Sequence, residues 1–557
     1  MMNTATIDGI QFANMIRGGA ASLSEHRKLV NDLNVFPIPD GDTGDNMYMT
    51  ISSGVEAIGE VAPDTLEDAA SRAAHGMLLG ARGNSGVILS RIFAGISQGL
   101  EGLERATISA LGKAFETGVA EAYGAVSVPV EGTILTVYKD AVSYACGRID
   151  AESTFQSYFE DFLSELRRSL ERTPELLAVL KQAGVVDSGG AGFIYIAEGM
   201  KQALEGKEFE LGTAPAPGAA KADLSAFSED SVLELGYCTE FLLRLQRSKV
   251  DLDRFDADEI RDYLNSVGES VVCFREGTIV KVHVHTMKPG DILNHCQRYG
   301  EYLTLKIENM SLQHNEQSEK APESAAGSYM PAATKPKKPY GIVTVAAGEG
   351  LRKLFLELGC DVVVDGGQSM NPSAKDFINA FDSIHSETIL VYPNNSNILL
   401  TAQQAAELYD RAEVRIVPTR TIGEGYAGIS MLNTASGDTE TILAEQAEAI
   451  SAVVTGQVST AIRDTENHGV CVRAGDCIGF VGDTIYTAQK DPSAAAAALA
   501  DALGAGNFDI LILLAGSGVD PQAAGALRDE LEEAYPMTEI ILLDGGQPIF
   551  DYIMIFE

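Results

Sequence analysis

Two stretches of the chain have neither a helical nor a strand period, and they divide everything around them. TAPAPGAAKADLS begins at Thr213 and EQSEKAPESAAGSYMPAATKPKKP begins at Glu316. Both are filled with Ala, Pro, Gly, Ser and Lys, the composition of linkers, which leaves folding blocks near 1–212, 225–315 and 339–557. A chain of 557 residues has room for three or four domains of about 150 residues, each large enough to bury a core.

The three blocks differ in period. The first has long runs with apolar residues at helical spacing, such as TFQSYFEDFLSELRRSLERTPELLAVLKQAG, broken by glycine-rich loops, and is predicted to be all-helical. The middle block mixes β-branched runs such as SVVCFREGTIVKVHVHT with helical stretches such as DADEIRDYLNSVG, as a small α+β domain does. The last alternates buried-strand runs with helices, which predicts an α/β domain with a parallel sheet. Within it GIVTVAAGEG, a helix and DVVVDGGQSMNP are echoed by DILILLAGSG, a helix and EIILLDGGQPIF, so DGGQ recurs at Asp365 and Asp544.

A formal charge of −38 repels nucleic acid and anionic membrane surfaces, so an anionic substrate needs a cation or a local donor set to hold it. No run reaches the roughly 18 apolar residues of a membrane span. The start, MMNTATIDGIQFANMIRGG, reads as a helix and not as a secretory signal. Seven cysteines without a CxxC pair fit reduced thiols and a cytoplasmic location.

The chemistry concentrates in NVFPIPDGDTGDNM. Asn34, Asp40 and Asp42 converge there in a turn bent by Pro39, Gly41 and Gly44. Oxygen ligands in a tight loop suit magnesium, which takes one or two carboxylates together with phosphate oxygens. Thr43, Asp45 and Asn46 follow, and a helix starting near Asn46 turns hydroxyl, amide and N–H groups toward phosphates; Asp45 needs a cation beside it. GARGNSG, Gly80 to Gly86, brings Gly83, Asn84 and Ser85 to the same kind of ligand, without the GK[ST] of a Walker sequence. PVEGTILTV offers Thr133 as a helix cap, and AGVVDSGGAGF offers Asp187, Ser188 and Gly189 in a loop suited to lie against a nucleotide. Taken alone, DGDTGDN also reads as a surface turn with helix caps and GARGNSG as an interhelix turn.

These residues carry a resemblance. The helical block resembles the nucleotide-binding subunit of dihydroxyacetone kinases, and nearly the whole chain is similar to the A subunits of fatty acid kinase. The resemblance implies a barrel of antiparallel helices in which Asp40 and Asp42 hold magnesium bridging ATP phosphates, with Asn34 as a third ligand. It also implies phosphate contacts from Gly83 to Ser85. Relatives typically have a threonine where this chain has Asp45, which argues against Asp45 touching phosphate. The acyl substrate is implied to arrive on a separate, DegV-like fatty-acid-binding protein that the last domain helps engage.

In the middle block, Cys238 and the pair His283 and His285 offer three zinc ligands, since strand residues two apart share a face; isolated Cys and His also serve as packing residues. The resemblance adds a zinc-type Cys/His site to this domain. His295 and Cys296 read as packing or surface residues. In the last block Asn394, Asn395, Thr419 and Arg463 lie near loops after strands, where α/β folds bind ligands and where turn chemistry is equally at home. The rival functions are a glycerone-type kinase for a small hydroxylated substrate and a non-catalytic subunit that holds a nucleotide as a scaffold or phosphorelay. A homodimer is compatible with any of these readings.

Overall fold

Eight long helices close a ring in the first part of the protein. In the computed structural model they are α1 (Gly9–Asn31), α2 (Thr43–Ile58), α3 (Leu66–Gly80), α4 (Gly83–Gly99), α5 (Ile108–Gly124), α6 (Ile134–Cys146), α7 (Phe155–Leu176) and α9 (Ser188–Leu204), with a short α8 (Ala178–Ala183) between the last two. Each packs on its chain neighbour, α7 packs on α9, and α9 returns to α1, which closes the barrel. The structure describes residues 6–33, 41–59, 63–126, 128–207, 209, 237–247, 249–250, 255, 258–276, 278–309, 338–367, 371–435 and 438–557. Both linker stretches, apart from the final Lys338 and Pro339 of the second, therefore lie outside the described residues, as do Asn34 and Asp40.

The helices form for local reasons. Thr154 caps α7 by accepting from the Ser157 N–H, and the Ser157 hydroxyl accepts in turn from the Thr154 N–H. Phe155, Tyr158, Phe159, Phe162 and Leu166 then recur at helical spacing and are all buried. Their rings meet Phe115 of α5, Tyr138 of α6 and Phe193 of α9 in edge-to-face contacts that fill the barrel centre.

The chain forms two compact units, one from Met1–Ala214 with Thr334–Glu557, the other Pro215–Ala333. The first unit joins the helical barrel to an α/β part with a small two-stranded sheet, Thr465–Asn467 with Val470–Val472, and two large ones. One is fully parallel, in the order β10 (Glu413–Ile416), β9 (Ser386–Tyr392), β7 (Lys338–Ala346), β8 (Val362–Asp365). The other departs from the expected parallel sheet. Its order is β15 (Thr484–Gln489), β14 (Cys477–Val481), β11 (Val454–Thr460), β18 (Tyr552–Phe556), β16 (Ile510–Ala515), β17 (Glu539–Asp544), and only β16 and β17 run parallel. A buried strand has the same apolar run in either direction, so composition cannot distinguish the two. The internal repeat corresponds to one β–α–β unit in each sheet: β7 and β8 flank the helix Glu349–Glu357, and β16 and β17 flank the helix Pro521–Ala534.

Among the described residues the second unit holds a four-stranded antiparallel sheet, β4 (Glu269–Glu276), β5 (Ile279–Thr286), β3 (Tyr237–Leu245), β6 (Gly300–Asn309), with helices α10 (Asp258–Val267) and α11 (Pro289–Cys296). Val280, Val282 and Val284 alternate into its core with Phe241, Leu243, Ile260 and Leu264. Cys296 is buried there and His295 stacks on Tyr263 at 3.5 Å, the packing roles expected of both. Among the described residues no helix is long and apolar enough to cross a membrane.

Candidate functional site

Helix α2 starts at Thr43, three residues earlier than the sequence suggests, and Asp42 stands at its N-cap position. An aspartate there normally turns its carboxylate onto the N–H groups of its own first turn. Asp42 makes no such bond. Those donors are met instead by Asn31, at the end of α1, whose Oδ1 accepts from the Gly44 N–H at 2.7 Å and the Asp45 N–H at 3.3 Å. Two helix-terminal N–H groups expected to face phosphate are thus already engaged.

Asp45 has the cation its position demands. Arg27 lies 3.3 Å from its carboxylate, the Asn31 amide donates to it at 2.7 Å, and the guanidinium sits 4.7 Å over the Tyr48 ring. A carboxylate held in this way is not a phosphate contact.

Thr43 and Asn46 are buried, and the Ser188 hydroxyl donates to the Thr43 hydroxyl at 3.2 Å, so the starts of α2 and α9 meet. Asp187 caps α9 by accepting from the Gly190 N–H at 2.7 Å and also accepts from the Ile134 backbone. Packing around its carboxyl pushes its pKa up to about 6, against the two backbone bonds that pull it down. Gly189 lies in the first turn, against Ile134. Thr133 does stand at the N-cap position of α6, but its hydroxyl donates to the Val130 carbonyl at 2.8 Å and caps nothing.

The GARGNSG loop turns straight into α4. Gly83 has φ +58, a backbone conformation that favours glycine, and a Cβ placed on it would lie 2.6 Å from Asn46 Nδ2, so a larger residue here is strained and displaces that amide. The Arg82 N–H donates to the Thr50 hydroxyl at 3.3 Å, and that hydroxyl donates to the Asn46 carbonyl at 2.7 Å. Asn84 also reaches the α/β part, where its Nδ2 donates to Asn397 at 3.3 Å. Ser85 is half-buried in the first turn of α4.

Asp42, Thr43, Asn46, Gly83 and Ser188 therefore converge at one end of the barrel, joined through Ser188 to the Asp187 cap. Sequence reasoning missed two members. Asn31 lies upstream in an ordinary helical run, and Asn371 comes from the α/β part, donating from Nδ2 to Asp42 Oδ2 at 2.5 Å. No local pattern marks either.

In the second unit, register sets Cys238 opposite His285 and His283 opposite Glu240. The side chains of Cys238, His283 and His285 lie outside the described residues. In the α/β part, Asn394 has φ +57; its amide donates to the Thr344 hydroxyl at 2.8 Å and the Val345 carbonyl at 2.9 Å, and its Oδ1 accepts from Thr419 at 2.9 Å. Asn394 and Thr419 thus lock the loops after β9 and β10. Asn394 also borders a cavity of about 720 Å³ lined by Val345, Leu351, Ile398, Asn395, Arg420 and Phe480. Arg463 lies past β11, in the other sheet's loops.

Comparison with known proteins matches this layout along the chain. Residues 341–557 match the C-terminal domain of the family described as fatty acid kinase A-subunit-like, residues 234–317 its middle domain, and residues 37–202 the DAK2 domain. Protein YloV of Bacillus subtilis (strain 168) is 38% identical over 564 residues, covering 100% of both chains. The chain belongs to the fatty acid kinase A-subunit-like family. An uncharacterized Staphylococcus aureus (strain MRSA252) protein, SAR1202, is 36% identical over 564 residues and 99% of each chain. Among solved structures, the dihydroxyacetone kinase of C. freundii with AMP-PNP and Mg2+ aligns with 34% of this chain and 33% of its own at 19% identity and TM-score 0.28. A fatty-acid-binding DegV family protein from Thermus thermophilus aligns with 39% of this chain and 99% of its own at 13% identity and TM-score 0.30. Scores this low leave the assignment to the family matches and the full-length relatives, which make the helical part a kinase-type domain.

Proposed function

We propose that this protein transfers the γ-phosphate of ATP to a fatty acid carboxylate presented by a separate, DegV-like fatty-acid-binding protein, giving an acyl phosphate and ADP. The observation that carries this reading is the convergence of Asp42, Thr43, Asn46, Gly83 and Ser188 at one end of a kinase-type helical barrel. The donor set fits a hard cation, because Asp42 offers a carboxylate that its own helix does not use. Asp40 and Asp42, with Asn34 as a third oxygen ligand, would hold magnesium; Thr43, Asn46, Gly83, Asn84, Ser85, Thr133, Asp187 and Gly189 are the proposed surroundings of the nucleotide. When bound, magnesium supplies charge neutralisation at the phosphate oxygens.

The acceptor's carboxylate oxygen attacks the γ-phosphorus as the bond to the β–γ bridging oxygen breaks, and ADP leaves. A fatty acid is already ionised near neutral pH, so the chain needs no general base. Its residues orient phosphates and exclude water, the usual division of labour in phosphoryl transfer. By the same proposal the blocks 1–212, 225–315 and 339–557 act as kinase, middle and partner-engaging domains. Cys238, His283 and His285 form a zinc site in the middle one, and loss of metal from a Cys238→Ser variant tests that site.

The deciding experiment mixes full-length protein, Mg-ATP, oleate and a fatty-acid-binding partner and measures acyl phosphate as its hydroxamate. Asp40→Ala and Asp42→Ala should each abolish product. Equal product from either variant, or phosphorylation of dihydroxyacetone in place of oleate, would overturn the assignment.

A further inference from the structure

We propose that Asn371, far along the chain in the α/β part, is a positioning residue for Asp42, setting the direction in which that carboxylate faces the metal. This rests on the magnesium–nucleotide reading of the acidic turn. Four observations carry it.

The carboxylate of an N-cap aspartate is ordinarily aimed by its own helix, and Asp42 lacks that restraint. A restraint that it does have comes from Asn371, whose Nδ2 donates to Oδ2 at 2.5 Å. An amide fixes orientation without cancelling charge. Asp45, three residues on, shows the contrasting treatment, paired with the Arg27 guanidinium.

Asn371 is itself held firmly. It is 1% exposed, and its backbone carbonyl accepts from Arg82 Nη1 at 2.6 Å. Arg82 also lies 3.5 Å from Asp376 and forms an antiparallel bridge with Ser373, while the Ala374 N–H donates to the Ala81 carbonyl. The segment carrying Asn371 is thereby stitched to the glycine loop.

Its place is also central. A Cβ on Gly83 would lie 3.2 Å from Asn371 Nδ2 as well as against Asn46 Nδ2, so both amides crowd the point where the acidic turn and glycine loop meet.

Finally, Asn371 Oδ1 is buried with no hydrogen-bond partner among the described residues. A buried carboxamide kept with one end unsatisfied is poorly explained by stability, which an apolar side chain would serve as well. It is well explained by the need for its other end at Asp42. Outer-sphere partners of this kind typically change metal affinity roughly 10- to 100-fold when removed.

The test titrates Mg2+ into full-length protein at saturating AMP-PNP and follows binding by calorimetry. Asn371→Leu is expected to weaken the apparent Mg2+ affinity roughly 10- to 100-fold, with metal-free nucleotide affinity unchanged. Asn371→Gln, which retains an amide donor, is expected to recover part of the loss. Glu407→Gln breaks an ion pair with Arg91 elsewhere on the same contact between helices and sheets, and should leave the titration unchanged. If Asn371→Leu fails to fold, Asn371→Ala replaces it in the same comparison. Wild-type Mg2+ affinity in the substituted protein, or an equal loss in Glu407→Gln, overturns the proposal. Asp42→Ala separates the two readings: if it too binds Mg2+ and nucleotide normally, the functional assignment fails and not only the role of Asn371.

Discussion

The hydroxyl of Ser188, first residue of α9, donates to the hydroxyl of Thr43, first residue of α2, at 3.2 Å. Two helix starts 145 positions apart in the chain are thereby held in register at the candidate site. Ser188→Ala removes one neutral hydrogen bond and should cost about 1 kcal/mol, read as a lower urea midpoint with an unchanged slope. Under the proposed function the KM for ATP should rise as well, while the response to the acyl partner stays the same.

Asn31 gives a sharper case. Its one oxygen serves two backbone N–H groups and its amide serves Asp45. Asn31→Ala leaves the first turn of α2 short of acceptors at a part-buried place, and about 1–3 kcal/mol of stability should be lost. Amide exchange at Gly44 and Asp45 should quicken more than in the middle of the helix. Unaltered exchange there would show that water replaces Asn31 without cost.

Gly83→Ala combines a left-handed backbone with a contact at 2.6 Å, so both strain and crowding oppose it. A loss beyond the roughly 1 kcal/mol of an ordinary glycine replacement is expected, together with weaker nucleotide binding. Gly102 also has positive φ but open space around its α-carbon, which makes Gly102→Ala the control for strain alone.

The raised pKa of Asp187 sets a pH dependence whose sign is opposite to that of most carboxylates. Its folded value is about 6 against an ordinary 3.8, so the folded state favours the protonated form. The stability it contributes is full below about pH 4 and is lost as pH rises through 6. Measured against Asp187→Asn, wild-type unfolding free energy should therefore fall between pH 4 and 6 and run parallel above. A constant difference across that window would place the carboxyl in contact with solvent.

What is legible in the sequence is what a few residues encode. The DGDTG string and the glycine loop each combine a conformational demand with a chemical group, and the helix-forming period of α7 is visible in its own letters; the capping bond of Asp187, expected only as a loop residue, is an addition of the structure. Thr133 departs from its expected capping role because a threonine before a helix has backbone acceptors as well as donors within reach, and the Val130 carbonyl is the one it uses. The direction of the strands in the second sheet is illegible for a different reason, since burial and not orientation decides a strand's composition. Asn31 and Asn371 escape because their roles exist only once distant segments meet.

The contact between Asp42 and Asn371 spans 329 positions. A gene fragment ending after the helical barrel would still encode every residue of the acidic turn, yet the polypeptide made from it would lack the amide that aims one of those acids. Truncation is thus not a neutral simplification of this molecule: under the proposed function its magnesium affinity depends on both parts, and natural substitutions at either partner are expected to be inherited together.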